Sequence, residues 1–196
     1  MLLDATEEIL KEKQVCFSRN LKSLKQRGSN NVRIDIEGLG EIDFLYIVPN
    51  EKKVYLVDCK YLKARYDMVN FRVDYSNFTK NDDSGYDNKM KKKVKWFQVN
   101  LDKVVEHFKI ESGSDSLNLD GFNVEGIFVI NSATFYMYNS IYRIYTLKTF
   151  KELIDGTFHD KEFMIHLKEE NCERIFRVKY PYFQKPKLMK HVIFTD

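Results

Sequence analysis

Asp43, Asp58 and Lys60 are the residues of this chain whose types and spacing could do chemistry. Asp43 lies in Gly40-Glu41-Ile42-Asp43-Phe44-Leu45, and Asp58 and Lys60 close the apolar run Val54-Tyr55-Leu56-Val57. Each stretch has the composition of a β-strand, and Pro49-Asn50-Glu51-Lys52-Lys53 between them has that of a hairpin turn. Side chains alternate along a strand, so Asp58 and Lys60 share one face while Val57 and Cys59 take the other, and Glu41 and Asp43 likewise share a face. With those faces aligned, two carboxylates and an ammonium meet at one end of a sheet, an arrangement suited to a hard divalent cation with oxygen ligands. Ending an apolar run in Asp and Lys costs several kcal/mol per uncompensated ion, as an order of magnitude. Such charges therefore collect where a site needs them. The competing reading is a strand that ends at the surface in a structural ion pair, which predicts no specific divalent-ion binding.

Elements on either side must hold this hairpin. Residues 4–26 read as an amphipathic helix with Ala5, Ile9, Cys16 and Leu24 on one side, capped by Asp4 or Thr6 and ended by Gly28-Ser29-Asn30-Asn31. Val32, Ile34 and Ile36 alternate with Arg33, Asp35 and Glu37, which predicts a half-buried strand and a three-strand meander after the helix. Residues 61–87 are irregular, with Tyr61, Tyr66, Phe71, Tyr75, Phe78 and Tyr86 among Lys63, Arg65, Arg72 and Lys80. They read either as a basic, aromatic flap over the site or as an insertion packing its own rings. Residues 88–109 form the clearest helix, with Met90, Val94, Phe97, Leu101, Val104, Val105 and Phe108 at helical spacing. Its first turns carry Lys89, Lys91, Lys92, Lys93 and Lys95, which oppose the helix dipole. That cluster suits a phosphate partner, with Lys89, Lys92 and Lys93 as candidate nucleic-acid contacts, or is a solvated face. Lys93 borders the apolar stripe and points toward the sheet. Val124–Ile130 and Tyr142–Tyr145 are further strands, and Leu147–Ile154 is a short helix. Residues 1–156 make one core domain. Residues 157–196, basic and aromatic, form an extension packed on the core or available for a partner.

Composition sets the bounds. The chain has 196 residues, 43% hydrophobic and 31% charged, with a net charge of +3, so bulk charge says little about nucleic acid and its distribution says more. No apolar run is long enough to span a membrane, and Met1-Leu2-Leu3-Asp4 does not begin a secretory signal, so a cytoplasmic location is expected. Three scattered cysteines suit a reducing compartment, and four histidines show no zinc-like spacing.

Glu41-Ile42-Asp43-Phe44, a short hairpin and Val57-Asp58-Cys59-Lys60 resemble the signature of the PD-(D/E)xK nuclease superfamily, with Ile42 where a proline is commonly written. The signature covers residues 38–61, and the element order extends the similarity over roughly 4–155. The resemblance implies an α/β fold with the restriction-endonuclease-like core α-β-β-β-α-β, a central mixed sheet flanked by helices. It implies a metal-dependent endonuclease that hydrolyses DNA phosphodiester bonds, with RNA the lesser alternative and Mg²⁺ or Mn²⁺ as cofactor. By position, Asp43 and Asp58 would be metal ligands with the Cys59 carbonyl as a third, and Lys60 would steer water and offset charge. Many members add a glutamate from the first helix, for which Glu12 is preferred, with Glu8 in reserve. Glu41 could join from its strand. Asp58→Ala should then abolish cutting and leave the fold intact. The alternative is a catalytically inactive nuclease-like fold that binds nucleic acid or serves assembly. Homodimerisation or a larger multidomain partner fits either reading.

Overall fold

Near-continuous apolar runs at Ile42–Val48 and Lys53–Lys60 are buried on both faces, as central strands of a sheet covered from two sides must be. In this computed structural model, residues 1–28, 30–35, 39–63, 68–82, 84–113, 115–138, 140–159, 161–169, 172–180 and 187–193 are described. The chain runs α1 (Leu2–Glu12), β1 (Phe17–Leu21), β2 (Ser23–Leu24), β3 (Val32–Arg33), β4 (Ile42–Val48) and β5 (Lys53–Lys60). It continues through α2 (Met68–Thr79), α3 (Tyr86–Val99), α4 (Leu101–Ser112), β6 (Asn123–Ile130), β7 (Arg143–Thr146) and α5 (Leu147–Ile154) to β8 (Lys161–Glu169), β9 (Cys172–Tyr180) and β10 (Lys187–Ile193).

The central sheet is mixed. Its five strands lie in the order β1-β4-β5-β6-β7, antiparallel from β1 through β5 and parallel from β5 to β7. Strand periodicity sorts its side chains onto two cores. Phe44, Tyr46, Tyr55 and Val57 pack with Leu2 and Leu10 of α1 and Phe150 of α5. Leu45, Ile47, Val54 and Leu56 pack with Met90 and Phe97 of α3 and Val104 and Phe108 of α4. Counting on by twos puts Asp43, Asp58 and Lys60 on the α3 face and Cys59 on the α1 face.

Three of the expected elements take a different form. The first helix ends at Glu12, with Gln14 in the left-handed region at φ 52°, and Phe17–Leu21 is a strand rather than helix. Its edge position beside β4, in register from Phe17↔Tyr46 to Leu21↔Ile42, outweighs the helical spacing of Cys16 and Leu24. The meander therefore uses β1. Of the strand expected at 32–36, Val32–Arg33 pairs only with Ser23–Leu24, and Ile36 and Glu37 lie outside the described residues. The helix expected at 88–109 is two helices broken at Asn100, whose φ of −112° and ψ of 32° interrupt the ladder.

Within 61–87, where no regular element was evident, α2 forms and packs its own aromatics. Phe78 is fully buried, stacked on Tyr136 at 4.7 Å and edge-on to Phe128 at 5.2 Å. Tyr66 and Arg65 lie outside the described residues. Strands β8, β9 and β10 make a separate three-stranded antiparallel sheet in the order β10-β9-β8, and at its approach Phe158 packs edge-on against Tyr145 at 5.3 Å. Among the described residues no helix is long and apolar enough to cross a membrane.

Close approach of α3 to β6 sets the site's geometry. A Cβ on Gly126 would lie 2.5 Å from Met90 Sδ and 2.9 Å from Val94 Cγ2, so any larger residue must displace Met90 and Val94 of the helix. Gly126→Ala is expected to cost about 1–3 kcal/mol, the usual range for overpacking, and to lift the turn carrying Lys93. In urea denaturation this appears as a lower midpoint at an unchanged slope.

Candidate active site

The β4–β5 register pairs Phe44 with Val57, and one step further sets Asp43 across from Asp58 on the same face. Like charges in that position repel, so other groups must hold them. Lys60, two residues on, reaches back to Asp58, its Nζ donating to Oδ2 at 3.2 Å. From above, Lys93 Nζ donates to Asp58 Oδ1 at 2.8 Å and to the Glu41 carbonyl at 2.8 Å. Asp58 is 3% exposed and Lys93 4%, so this is an interior ion pair. Asp43 is half-buried, and its Oδ2 accepts the Cys59 backbone N–H at 2.6 Å. Lys60 also lies over the Tyr86 ring, 5.0 Å from its centroid.

The two acids are driven in opposite directions. Burial, then the charge of Asp58, raises Asp43 above the usual carboxylate value, against the Cys59 N–H and the two lysines. Burial also works to raise Asp58, but Lys60 and Lys93 outweigh it and hold Asp58 below that value. Burial alone would lower Lys60; Asp58 and Asp43 overcome it, and Lys60 stays an ammonium. These groups open onto a cleft of about 370 Å³ lined also by Lys89, Tyr86, Leu39 and Asp35. A larger hollow of about 800 Å³ lies at the turn end of the hairpin. There Glu51 accepts from the Tyr55 hydroxyl and Asp155 pairs with Lys13, both at partly exposed positions, without a buried charge cluster.

The donor set fits a small hard cation of the magnesium type. Such an ion keeps much of its water and needs only one or two carboxylates, and each Asp58 oxygen retains a second lone pair beside its lysine. Among the described residues no group of three or more His, Cys, Asp or Glu side chains is gathered. The Cys59 thiol is no ligand: it lies 3.7 Å from Thr6 Oγ1 on the opposite face, and burial pushes it up to about 12. Only the Cys59 backbone reaches the site.

Glu12 does not. Its carboxylate takes the Lys151 ammonium at 2.6 Å, on the side of the sheet where α1 packs with α5, and the sheet separates it from Asp43 and Asp58. Glu8 is exposed. Glu41 enters through its carbonyl, while its side chain faces Lys22 at 3.7 Å. The lysine run divides: Lys89 lines the cleft, Lys92 is exposed beside a neighbouring hollow, and Lys93 is an interior partner of Asp58 rather than a surface phosphate contact. Sequence reasoning missed that partnership. Its signal was a lysine three residues after Met90 and four before Phe97, on a core stripe.

A Ser–His pair also emerges, with no sequence signal. His107, 1% exposed, lies 2.9 Å through Nε2 from Ser18 Oγ, and its Nδ1 accepts the Lys25 N–H at 3.0 Å. Nδ1 therefore carries no proton, Nε2 is the donor, and the ring cannot serve as base to Ser18. The pair is structural. Burial, then Lys25, lowers His107 against Glu111, so its neutral form belongs to the fold. A histidine lowered on folding contributes stability above its ordinary value and loses it as pH falls. The thermal midpoint should therefore decline below about pH 6.5, and His107→Gln should flatten that decline.

The fold and site together define a class: a mixed α/β protein whose five-stranded mixed sheet, flanked by helices, buries an acid–lysine cluster at one end. Comparison with protein-family models, curated proteins and solved structures found no match.

Proposed function

We propose that this chain is a divalent-metal-dependent nuclease of the PD-(D/E)xK type that hydrolyses DNA. The observation that carries the reading is the convergence of Asp43, Asp58 and Lys60, from two paired strands, on one cleft of about 370 Å³. With the small β2–β3 pair and helices α2 and α4 read as additions, the order helix, three antiparallel strands, helix, parallel strand supports a restriction-endonuclease-like core, with β1 as its first strand.

A bound Mg²⁺ would supply Lewis-acid stabilisation and a more acidic water, held by Asp43, Asp58 and the Cys59 carbonyl. The chain's own groups do the rest. Lys60, kept protonated by the two acids, orients the attacking water and offsets charge gathering on the phosphate. Lys93 fixes the Asp58 carboxylate by holding it against the Glu41 carbonyl, so the ligand is set before substrate arrives. Lys89, at the cleft wall, meets the phosphate backbone.

Asp58, with an ammonium on each oxygen, also suits a fold kept for nucleic-acid binding alone. Purified protein incubated with plasmid, linear and single-stranded DNA plus Mg²⁺ or Mn²⁺ separates the readings. Metal-dependent cutting lost on chelation is expected; retention of DNA without cutting would favour the binding module.

A further inference from the structure

The cleft does not end at Lys89. Leu39, on its wall, also lines a second hollow of about 590 Å³ with Arg33, Lys92, Lys95, Trp96 and Val99. One face of α3 serves both: Lys89 and Lys93 border the cleft, while Lys92 and Trp96, one turn on, border the hollow. From Lys89 to Trp96 the helix rises roughly 10 Å, a span a few nucleotides can follow.

Trp96 is half-buried. Part of its indole joins the core, tilted against Phe97 at 5.0 Å, and part lines the hollow. Lys92 and Lys95, on the turn before Trp96, are exposed, and Arg33 is held by both oxygens of Asp35 at 2.9 and 3.0 Å. An aromatic surface beside cations, continuous with a cleft that would take a phosphodiester, is how proteins hold unpaired strands: bases stack while lysines follow the phosphates. A duplex keeps its bases stacked on one another and offers none to an indole.

We propose that the hollow is a single-stranded DNA subsite, in which the strand leaves the cleft over Leu39 and stacks a base on Trp96 while Lys92 and Lys95 hold the adjoining phosphates. This rests on the nuclease reading and adds its substrate class, an unpaired segment.

Trp96 is the chain's one tryptophan, so its fluorescence reports this site alone. The test titrates the whole protein, with chelator and no divalent ion, with a short oligothymidylate, a duplex of equal length and an oligouridylate. Saturable quenching by oligothymidylate that weakens with added salt is expected, with little change from the duplex. By anisotropy, Trp96→Phe keeps the affinity, and Lys92→Gln with Lys95→Gln reduces both the affinity and its salt dependence. Trp96→Leu weakens it about tenfold, within the range for loss of one base stack. Binding without quenching, equal quenching by duplex, or stronger binding of oligouridylate overturns the proposal. Because no ion is present, the readout is independent of cutting. A protein that cuts DNA yet shows no quenching loses this subsite and keeps its catalytic reading, and one that quenches without cutting does the reverse.

Discussion

Asp58→Ala is expected to abolish cleavage and, in the same stroke, to remove about 3–5 kcal/mol of folding stability, the usual cost of breaking a buried ion pair from one side. The catalytic half of this rests on the proposed role of Asp58 as a metal ligand. The structural half adds a stability cost to the expectation from sequence that the fold stays intact. Asp58 receives both Lys93 and Lys60, and Lys93 is 4% exposed, so alanine leaves an ammonium in the interior with only the Glu41 carbonyl. For a chain of this size the thermal midpoint should drop by on the order of 10 °C. Asp58→Asn, which keeps an oxygen facing Lys93, should lose less. Asp58→Ala combined with Lys93→Met should recover most of the stability while staying inactive, because the fully interior ammonium is gone and Lys60, more exposed, keeps the Asp43 charge nearby. A single alanine variant as stable as the parent would show that the interior pair contributes nothing.

Asp43→Asn should separate the two effects. Asp43 is half-buried, faces the Asp58 carboxylate across the strand pair, and is held above the usual carboxylate value by burial and that neighbour. Its charge is therefore a burden on the folded state. Asparagine keeps an oxygen for the Cys59 N–H, now at 2.6 Å, and removes the repulsion. The variant should melt at the parent's temperature or a few degrees higher, about 2–4 °C for each kcal/mol gained. Cleavage should fall by at least about a hundredfold, the scale of losing one group that stabilises charge in the transition state. Gained stability with lost activity is the mark of a position kept for chemistry. Calorimetry and a cleavage assay on one preparation decide it; a variant that cuts normally removes Asp43 from the site.

Legibility followed the range of the interaction. The hairpin, the strand at 124–130 and the helix at Leu147–Ile154 were readable because period and turn chemistry act over a few residues. Asp43, Asp58 and Lys60 were readable for the same reason, since alternation alone assigns them a face. The first helix was overextended because β1 is stabilised by β4, more than twenty residues away, and nothing near Cys16 or Phe17 reports that partner. Helix α2 was missed because its order rests on Phe78 meeting Phe128 and Tyr136.

By itself the sequence determined a mixed α/β chain with Asp58 and Lys60 on one face of a strand and Asp43 on the strand before it, through hydrophobic period and the two-residue repeat of β-structure. The register that aligns them came from the structure. Only the tertiary structure decided which other groups join them. It seated Lys93 on Asp58, took Glu12 to the far side of the sheet with Lys151, and joined the cleft to Trp96. Those outcomes depend on which face of the sheet each helix covers. That choice is made by packing between residues distant along the chain, with Gly126 admitting α3 to its place, and no local pattern encodes it.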